Sequence, residues 1–178
     1  RKETTTEDNR RYLASLSDAV PSDLARRYTA LLESFGAKEA RPVDPNVQVV
    51  RIKALREELK FDLKEFTVQA GKPVEIVFEN PDAMQHNLVI GKPKSLEIIG
   101  AAADKLITAR DGAERNYVPA IPQVITASAL VNPDQTVRLE FKAPDVPGDY
   151  PYVCTFPGHW RLMNGVMKVV KAEKTAAK

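Results

Sequence analysis

The residues with the most chemical potential in this chain are concentrated in one ten-residue segment. Cys154–Met163 reads Cys-Thr-Phe-Pro-Gly-His-Trp-Arg-Leu-Met and holds the single cysteine, one of two histidines (His159) and one of three methionines. Thiolate, imidazole and thioether are soft ligands that suit copper, and a trigonal His₂Cys site with a weak axial Met needs a second imidazole. The remaining histidine is His86. The composition therefore predicts a copper site formed by His86, Cys154, His159 and Met163.

Each of these residue types has a commoner structural role. A lone Cys is usually a small buried hydrophobe and a Met is usually core filler. The spacing weakens that interpretation, because Cys-x4-His-x3-Met lies between two strand-like runs and His86 follows a third. Shared placement at strand ends favours a common role for the four side chains.

Two segments resemble those of a known family. Cys154-Thr-Phe-Pro-Gly-His-x-x-x-Met163 is similar to the copper loop of azurins and the azurin-like auracyanins, which are cupredoxins. Asn80-Pro-Asp-Ala-Met-Gln-His-Asn-Leu-Val-Ile90 is similar to the segment that carries their first histidine. The resemblance covers roughly Val47 to Lys171 and implies one copper ion that alternates between Cu(I) and Cu(II).

The same resemblance implies roles for the neighbours of the ligands. The backbone carbonyl of Gln85 is expected on the second axial side of the copper, opposite Met163. Asn87 is expected to tie the two ligand loops together, and the N–H groups of Asn87 and Phe156 to point at the thiolate sulfur. Pro157 leaves its position without a hydrogen-bond donor.

A docking surface is expected around His159, whose ring edge would be the exit for the electron. Apolar patches of this kind fit brief, weak contacts with a redox partner. The expected partners are redox proteins such as c-type cytochromes or a fused redox domain. An alternative interpretation of Trp160 is that it packs on its own loop. The predicted patch consists of Met84, Trp160, Arg161 and Leu162.

The elements that must position these residues are β-strands. Alternating runs separated by Gly and Pro turns predict a mainly β fold, a cupredoxin-like Greek-key sandwich of seven or eight strands. Leu59–Ala70 and His86–Ile90 are two of the predicted strands. Apolar residues at helical spacing within Lys94–Arg110 resemble the helical flap that azurins insert outside the sandwich.

Three regions are expected along the chain. Residues 1–45 form a helical extension and linker, 46–172 the azurin-like domain, and 173–178 a polar tail. The apolar stripes of the extension fit either packing against the β domain or docking to another domain. Because the chain begins Arg-Lys-Glu, we expect a mature chain or a piece of a longer one.

Composition limits the remaining functions. A formal charge of +2 gives no argument for nucleic-acid binding, and no apolar run reaches the roughly eighteen residues of a transmembrane helix. One cysteine excludes an internal disulfide. The family resemblance implies a periplasmic or extracytoplasmic location, with tethering through a missing N-terminal part as an option.

Several rival functions use the same residues. Copper nitrite reductases and multicopper oxidases need further histidines, and a dinuclear electron-transfer site needs two cysteines. A Cys154–His159 nucleophile lacks an obvious orienting residue, and a copper store would need more methionines or histidines. We therefore predict an electron-transfer protein, not an enzyme, acting as a carrier or as a domain of a larger redox protein. The alternative is a cupredoxin domain of a multidomain copper enzyme whose catalytic centre lies elsewhere.

Overall fold

The computed structural model describes residues 46–172, so the predicted N-terminal extension and polar tail lie outside the described residues. Within this range the chain forms two β-sheets and one α-helix. The elements in order are β1 (Gln48–Lys53), β2 (Glu65–Gln69), β3 (Pro73–Asn80), β4 (Val89–Gly91), α1 (Leu96–Leu106), β5 (Val124–Ala127), β6 (Gln135–Lys142), β7 (Gly148–Val153) and β8 (Asn164–Val170).

Both sheets are mixed. The three-stranded sheet has the order β1-β3-β6, and the five-stranded sheet has the order β2-β8-β7-β4-β5. β1 runs parallel to β3 and β2 parallel to β8, whereas all other neighbours are antiparallel. This confirms the predicted mainly β sandwich, with eight strands in the described part of the chain.

The main core cluster lies between the inner faces of the two sheets. Ile76 and Phe78 project from the three-stranded sheet, and Tyr152 and Met167 from the five-stranded sheet, all four with no exposed surface. Complete burial of such a side chain contributes about 1.5–3 kcal/mol. Alternation along each strand therefore fixes the register, because a slip by one residue would expose this set.

Helix α1 covers the outer face of the five-stranded sheet. Ile99 of the helix packs with Val89 of β4, Val153 of β7 and Trp160 in a second buried cluster. The helix predicted within residues 94–110 is thus confirmed, with bounds 96–106. Among residues 46–172, no helix has the length and apolar character needed to span a membrane.

The strand predicted over Leu59–Ala70 was too long. Regular pairing begins only at Glu65, and Phe61 makes an isolated bridge with Ala54. The carboxylate of Asp62 explains the interruption, because it accepts the N–H groups of Lys53 and Leu63 at 2.7 and 2.8 Å. Asp side chains compete in this way with ladder hydrogen bonds.

The strand predicted over His86–Ile90 was also wrong in its extent. Only Val89–Gly91 is a strand, and His86 forms a single bridge with Val131. Between the two, the N–H of Leu88 donates to the hydroxyl of Ser128 at 3.0 Å instead of to a neighbouring strand.

Candidate metal centre

Strand β7 delivers Cys154 to the core. Tyr150, Tyr152 and Cys154 alternate toward the inner face, and all three belong to the main core cluster. The strand ends at Val153, and the N–H of Cys154 donates to the carbonyl of Met163 at 2.9 Å. That bond closes the base of the loop between β7 and β8, so Cys154 and Met163 begin and end it side by side.

Tight turns within the loop bring His159 back over Cys154. The N–H of His159 donates to the carbonyl of Phe156 at 3.0 Å, and the N–H of Met163 to the carbonyl of His159 at 2.9 Å. Gly158 between them has φ +82°, a left-handed conformation that glycine adopts without a steric cost. His159 therefore returns to the core with only 4% of its surface exposed.

His86 reaches the same place from a different loop. Its N–H donates to the carbonyl of Val131 at 3.2 Å and its carbonyl accepts from Val131 at 2.8 Å. The amide of Asn80, itself buried, donates to the carbonyls of Met84 and Val131 at 2.7 and 2.8 Å. These bonds hold the loop before β4 in one conformation.

The three donor atoms converge in a buried cluster. Cys154 Sγ lies 3.8 Å from His86 Nδ1 and 3.6 Å from His159 Nδ1, and the two Nδ1 atoms lie 3.2 Å apart. His86, Cys154 and His159 are all buried. Two buried imidazole nitrogens and a sulfur this close together need either a shared proton or a shared cation.

The spacing fits a metal ion. Zinc bonds of ~2.0 Å to imidazole and ~2.3 Å to thiolate are a guide for a first-row ion. At 120° they separate the two nitrogens by ~3.5 Å and each nitrogen from sulfur by ~3.7 Å. The observed separations agree with these values to within a few tenths of an ångström. Two imidazoles and one thiolate in a trigonal arrangement are the donor set of a blue-copper site.

Cys154 and His159 are both uncharged at neutral pH in the metal-free protein. Burial raises the pKa of the Cys154 thiol to about 12, against the lowering effect of the Asn87 and Phe156 N–H groups. Burial also lowers the pKa of His159 to about 4, and the neighbouring His86 acts in the same direction. A cation that binds here must displace the thiol proton but finds His159 already deprotonated.

The contact between Asp82 and His86 was not anticipated by the sequence analysis. Oδ2 of Asp82 lies 2.9 Å from Nε2 of His86, and the two side chains are 6% and 0% exposed. Burial by itself raises the pKa of Asp82, but hydrogen bonds from the Glu57 N–H and from His86 outweigh it, so the pKa lies below its usual value. Asp82 is therefore a carboxylate at neutral pH. An acidic residue four positions before a predicted ligand was the available signal.

Asn87 joins the two ligand loops through its side-chain amide. Its Oδ1 accepts the N–H of Thr155 at 2.7 Å, and its Nδ2 donates to the hydroxyl of Thr155 at 2.9 Å. The same Nδ2 donates to the carbonyl of Asn116 at 2.7 Å. The residue beside Cys154 is thus tied to the residue beside His86 and to the loop that follows α1.

The other predicted neighbours are placed as follows. Met163 is fully buried in the core cluster that contains Cys154. The ring of Phe156 lies 4.9 Å from that of His159, and Pro157 is half-buried. The side chain of Gln85 donates to Asn132 at 2.6 Å. The axial roles of Gln85 and Met163 remain predictions.

The predicted docking patch needs one correction. Met84 and Leu162 are 41% and 61% exposed, and the Arg161 side chain is 59% exposed, but Trp160 is only 6% exposed. The indole lies against Gly100 of α1, where an added Cβ would overlap atoms of the ring. Trp160 therefore contributes packing between the loop and the helix, not surface.

Comparison with known proteins gives a consistent result. The sequence model of copper binding proteins of the plastocyanin/azurin family matches residues 48–170. Auracyanin-A of Chloroflexus aurantiacus is 40% identical over 122 residues, which cover 67% of this chain and 73% of the relative. Azurin-1 of Alcaligenes xylosoxydans xylosoxydans is 31% identical over 121 residues, which cover 63% of this chain and 90% of the relative.

A solved structure shows the same relationship. Auracyanin A from Chloroflexus aurantiacus, described as a "blue" copper protein, superposes with a TM-score of 0.64 and 39% identity. The match covers 70% of this chain and 99% of that one. The range matched by the family model, residues 48–170, contains His86, Cys154 and His159.

Proposed function

The chain belongs to the plastocyanin/azurin family of copper-binding proteins, and from that premise we propose that it transfers single electrons through one mononuclear type 1 copper site. The observation that carries the proposal is the buried triangle of His86 Nδ1, His159 Nδ1 and Cys154 Sγ, with sides of 3.2, 3.6 and 3.8 Å. A copper ion bound there supplies a one-electron couple, Cu(I)/Cu(II).

The chain's own residues divide the work of the site. Cys154, as thiolate, would be the dominant donor to the copper ion, and His86 and His159 would hold it with their imidazoles. The soft thioether of Met163 would be a weak further donor that favours Cu(I). The backbone carbonyl of Gln85 is the candidate for one more weak donor. Because the ligands sit on hydrogen-bonded loops at strand ends, they keep one arrangement in both oxidation states.

Partner contact is assigned to the surface beside His159. Met84 and Leu162 support this assignment, because both are exposed apolar residues within three positions of a proposed histidine ligand in the sequence. Arg161 is exposed as well, and Phe156 and Pro157 are half-buried. Apolar contact of limited area suits brief association, which a carrier needs in order to leave again. The proposed partners are redox proteins such as c-type cytochromes or a fused redox domain.

An electron-transfer role is favoured over an enzyme by the histidine count. The chain has two histidines, and both belong to the one cluster. A catalytic copper centre of the kind found in multicopper oxidases would need ligands from elsewhere. We propose that residues 46–172 act as an electron-transfer domain outside the cytoplasm, either as a free carrier or within a longer redox protein.

Copper addition tests the proposal directly. Cu(II) added to the metal-free protein should give an intense thiolate-to-copper band in the visible spectrum and a type 1 EPR signal. Cys154→Ser should remove both, whereas Met84→Leu, an exposed methionine outside the ligand set, should retain both. The proposal fails if the wild-type protein shows no such band, or if the band survives Cys154→Ser.

A further inference from the structure

The carboxylate of Asp82 has two hydrogen-bond partners of different kinds. Its Oδ1 accepts the backbone N–H of Glu57 at 3.0 Å, and its Oδ2 lies 2.9 Å from Nε2 of His86. The N–H of Asp82 in turn donates to Oδ1 of Asn80 at 3.1 Å. The carboxylate is thus held between a neighbouring loop and the far side of a proposed copper ligand.

This contact determines which nitrogen of His86 carries the proton. A carboxylate accepts hydrogen bonds and donates none, so Nε2 of His86 must be the donor. In the neutral ring the proton then sits on Nε2, and Nδ1 keeps its lone pair. Nδ1 is the nitrogen that faces Cys154 Sγ and His159 Nδ1.

The contact also places the negative charge of the Asp82 carboxylate beside His86. Outer partners that accept the second N–H of a ligating histidine fix its orientation and raise its basicity as a ligand. An anionic acceptor does both more strongly than a neutral one, because the hydrogen bond is charge-assisted. Both side chains are buried, so solvent screens this effect little.

We propose that Asp82 is a positioning residue of the copper centre: its carboxylate holds the Nε2 proton of His86, presents the Nδ1 lone pair to the metal, and stabilises Cu(II) relative to Cu(I). The effect on the copper couple depends on the proposed function. The effect on the imidazole does not, since it exists in the metal-free protein.

The first test uses the metal-free protein and measures which ring nitrogen of His86 carries the proton. At about pH 8 an ordinary histidine is neutral, and ¹⁵N NMR distinguishes a protonated from an unprotonated ring nitrogen. In the wild-type protein, His86 should carry its proton on Nε2. In Asp82→Asn the amide nitrogen can face the imidazole and donate to Nε2, so a population with the proton on Nδ1 should appear. A wild-type His86 protonated on Nδ1 would overturn the proposal.

The second test measures the copper couple. Loss of an outer-shell partner typically weakens metal binding about 10–100-fold. If Asp82→Asn weakens Cu(II) binding about tenfold more than Cu(I) binding, the reduction potential rises by about 59 mV for one electron. Asp82→Glu restores the charge and should bring the potential part of the way back. A purely structural role for Asp82 would change unfolding without this shift.

Asp134→Asn is the matched control. Asp134 lies on the adjoining turn, where its N–H donates to the carbonyl of Asn80, but its side chain is 81% exposed and pairs with Arg56. Its φ of +58° is one that asparagine tolerates. The substitution removes the same charge without touching His86. Equal potentials for Asp82→Asn and Asp134→Asn would overturn the proposal.

The two tests separate this inference from the proposed function. If the wild-type protein gives no blue copper site, the proposed function fails, yet the NMR result still decides whether Asp82 sets the state of His86. If the blue site forms but neither the imidazole proton nor the potential responds to Asp82→Asn, the function stands and the inference fails.

Discussion

The indole nitrogen of Trp160 donates a hydrogen bond to the carboxylate of Asp104, 3.0 Å away across the boundary between the ligand loop and helix α1. The second oxygen of Asp104 accepts from Arg161 at 3.0 Å, and the Arg161 guanidinium lies 4.2 Å from the centre of the Trp160 ring. One carboxylate therefore fastens the two residues that follow His159 to a helix on the outside of the sandwich.

Asp104→Ala should destabilise the protein by about 1–3 kcal/mol, the cost of leaving a buried donor such as the Trp160 N–H without a partner. The effect on the helix alone would be stabilising, because an acidic residue near a helix C-terminus lowers the free energy of unfolding by about 0.3–1 kcal/mol. Urea unfolding measures the net effect, and the loss of the indole bond should dominate.

Asp104→Asn serves as the control for that substitution. It keeps an acceptor oxygen for the indole and loses only the ion pair with the exposed Arg161, which is worth about 0–1 kcal/mol. Equal losses for Asp104→Ala and Asp104→Asn would show that the charge, not the indole bond, holds the loop to the helix.

Gly100→Ala should destabilise the protein although alanine is the better helix former by about 1 kcal/mol. An added Cβ at Gly100 would overlap the ring of Trp160, so the helix and the loop would have to separate. Overpacking of this kind costs about 1–3 kcal/mol. Unfolding in urea should therefore shift to lower concentration, and a stabilised variant would show that the indole can move aside.

These contacts show where sequence reasoning reached its limit. The four proposed ligands were predicted because soft residue types occur so rarely in this chain, and because these residues lie beside strand-like runs. Trp160 was assigned to the docking patch because it follows His159 in the loop, with packing on its own loop as the alternative. Its burial depends on α1 folding back over the loop, a tertiary contact for which Gly100 was the only local sign.

Asp82 was missed for a related reason. Its contact with His86 depends on a loop shape that the amide of Asn80 imposes through hydrogen bonds to Met84 and Val131. No periodic pattern encodes such a shape. Side-chain bonds to backbone also shortened the strand expected from His86 to Ile90, since propensity does not account for competition by residues such as Ser128.

Asn87→Ala should destabilise the protein by more than about 2 kcal/mol, because it leaves the Thr155 N–H and the Asn116 carbonyl without their partner, at about 1–3 kcal/mol for each buried group. Copper should still bind, with an altered EPR spectrum, since the loop that carries Cys154 loses its tie to the loop that carries His86. Glu114→Ala, at an exposed side chain in the loop after α1, is the control and should change the stability by less than about 0.5 kcal/mol.

Leu162→Glu should slow electron exchange with a c-type cytochrome on the order of tenfold, equivalent to about 1.4 kcal/mol, because it places a charge in the proposed apolar contact. Stopped-flow mixing of the reduced protein with the oxidised cytochrome gives the second-order rate constant. Val146→Glu is the control, since Val146 is 68% exposed and precedes the opposite end of β7. Similar slowing by both variants would argue against the proposed docking surface.

The metal-free protein should lose stability as the pH falls from about 6.5 toward 4. Burial lowers the pKa of His159 from 6.5 to about 4 in the folded state. Between these values the unfolded chain binds a proton that the folded protein does not, so the free energy of unfolding decreases as pH decreases. Urea unfolding at pH 7 and pH 4.5 should show a smaller loss in His159→Asn than in the wild type. Equal losses would assign the pH dependence to other groups.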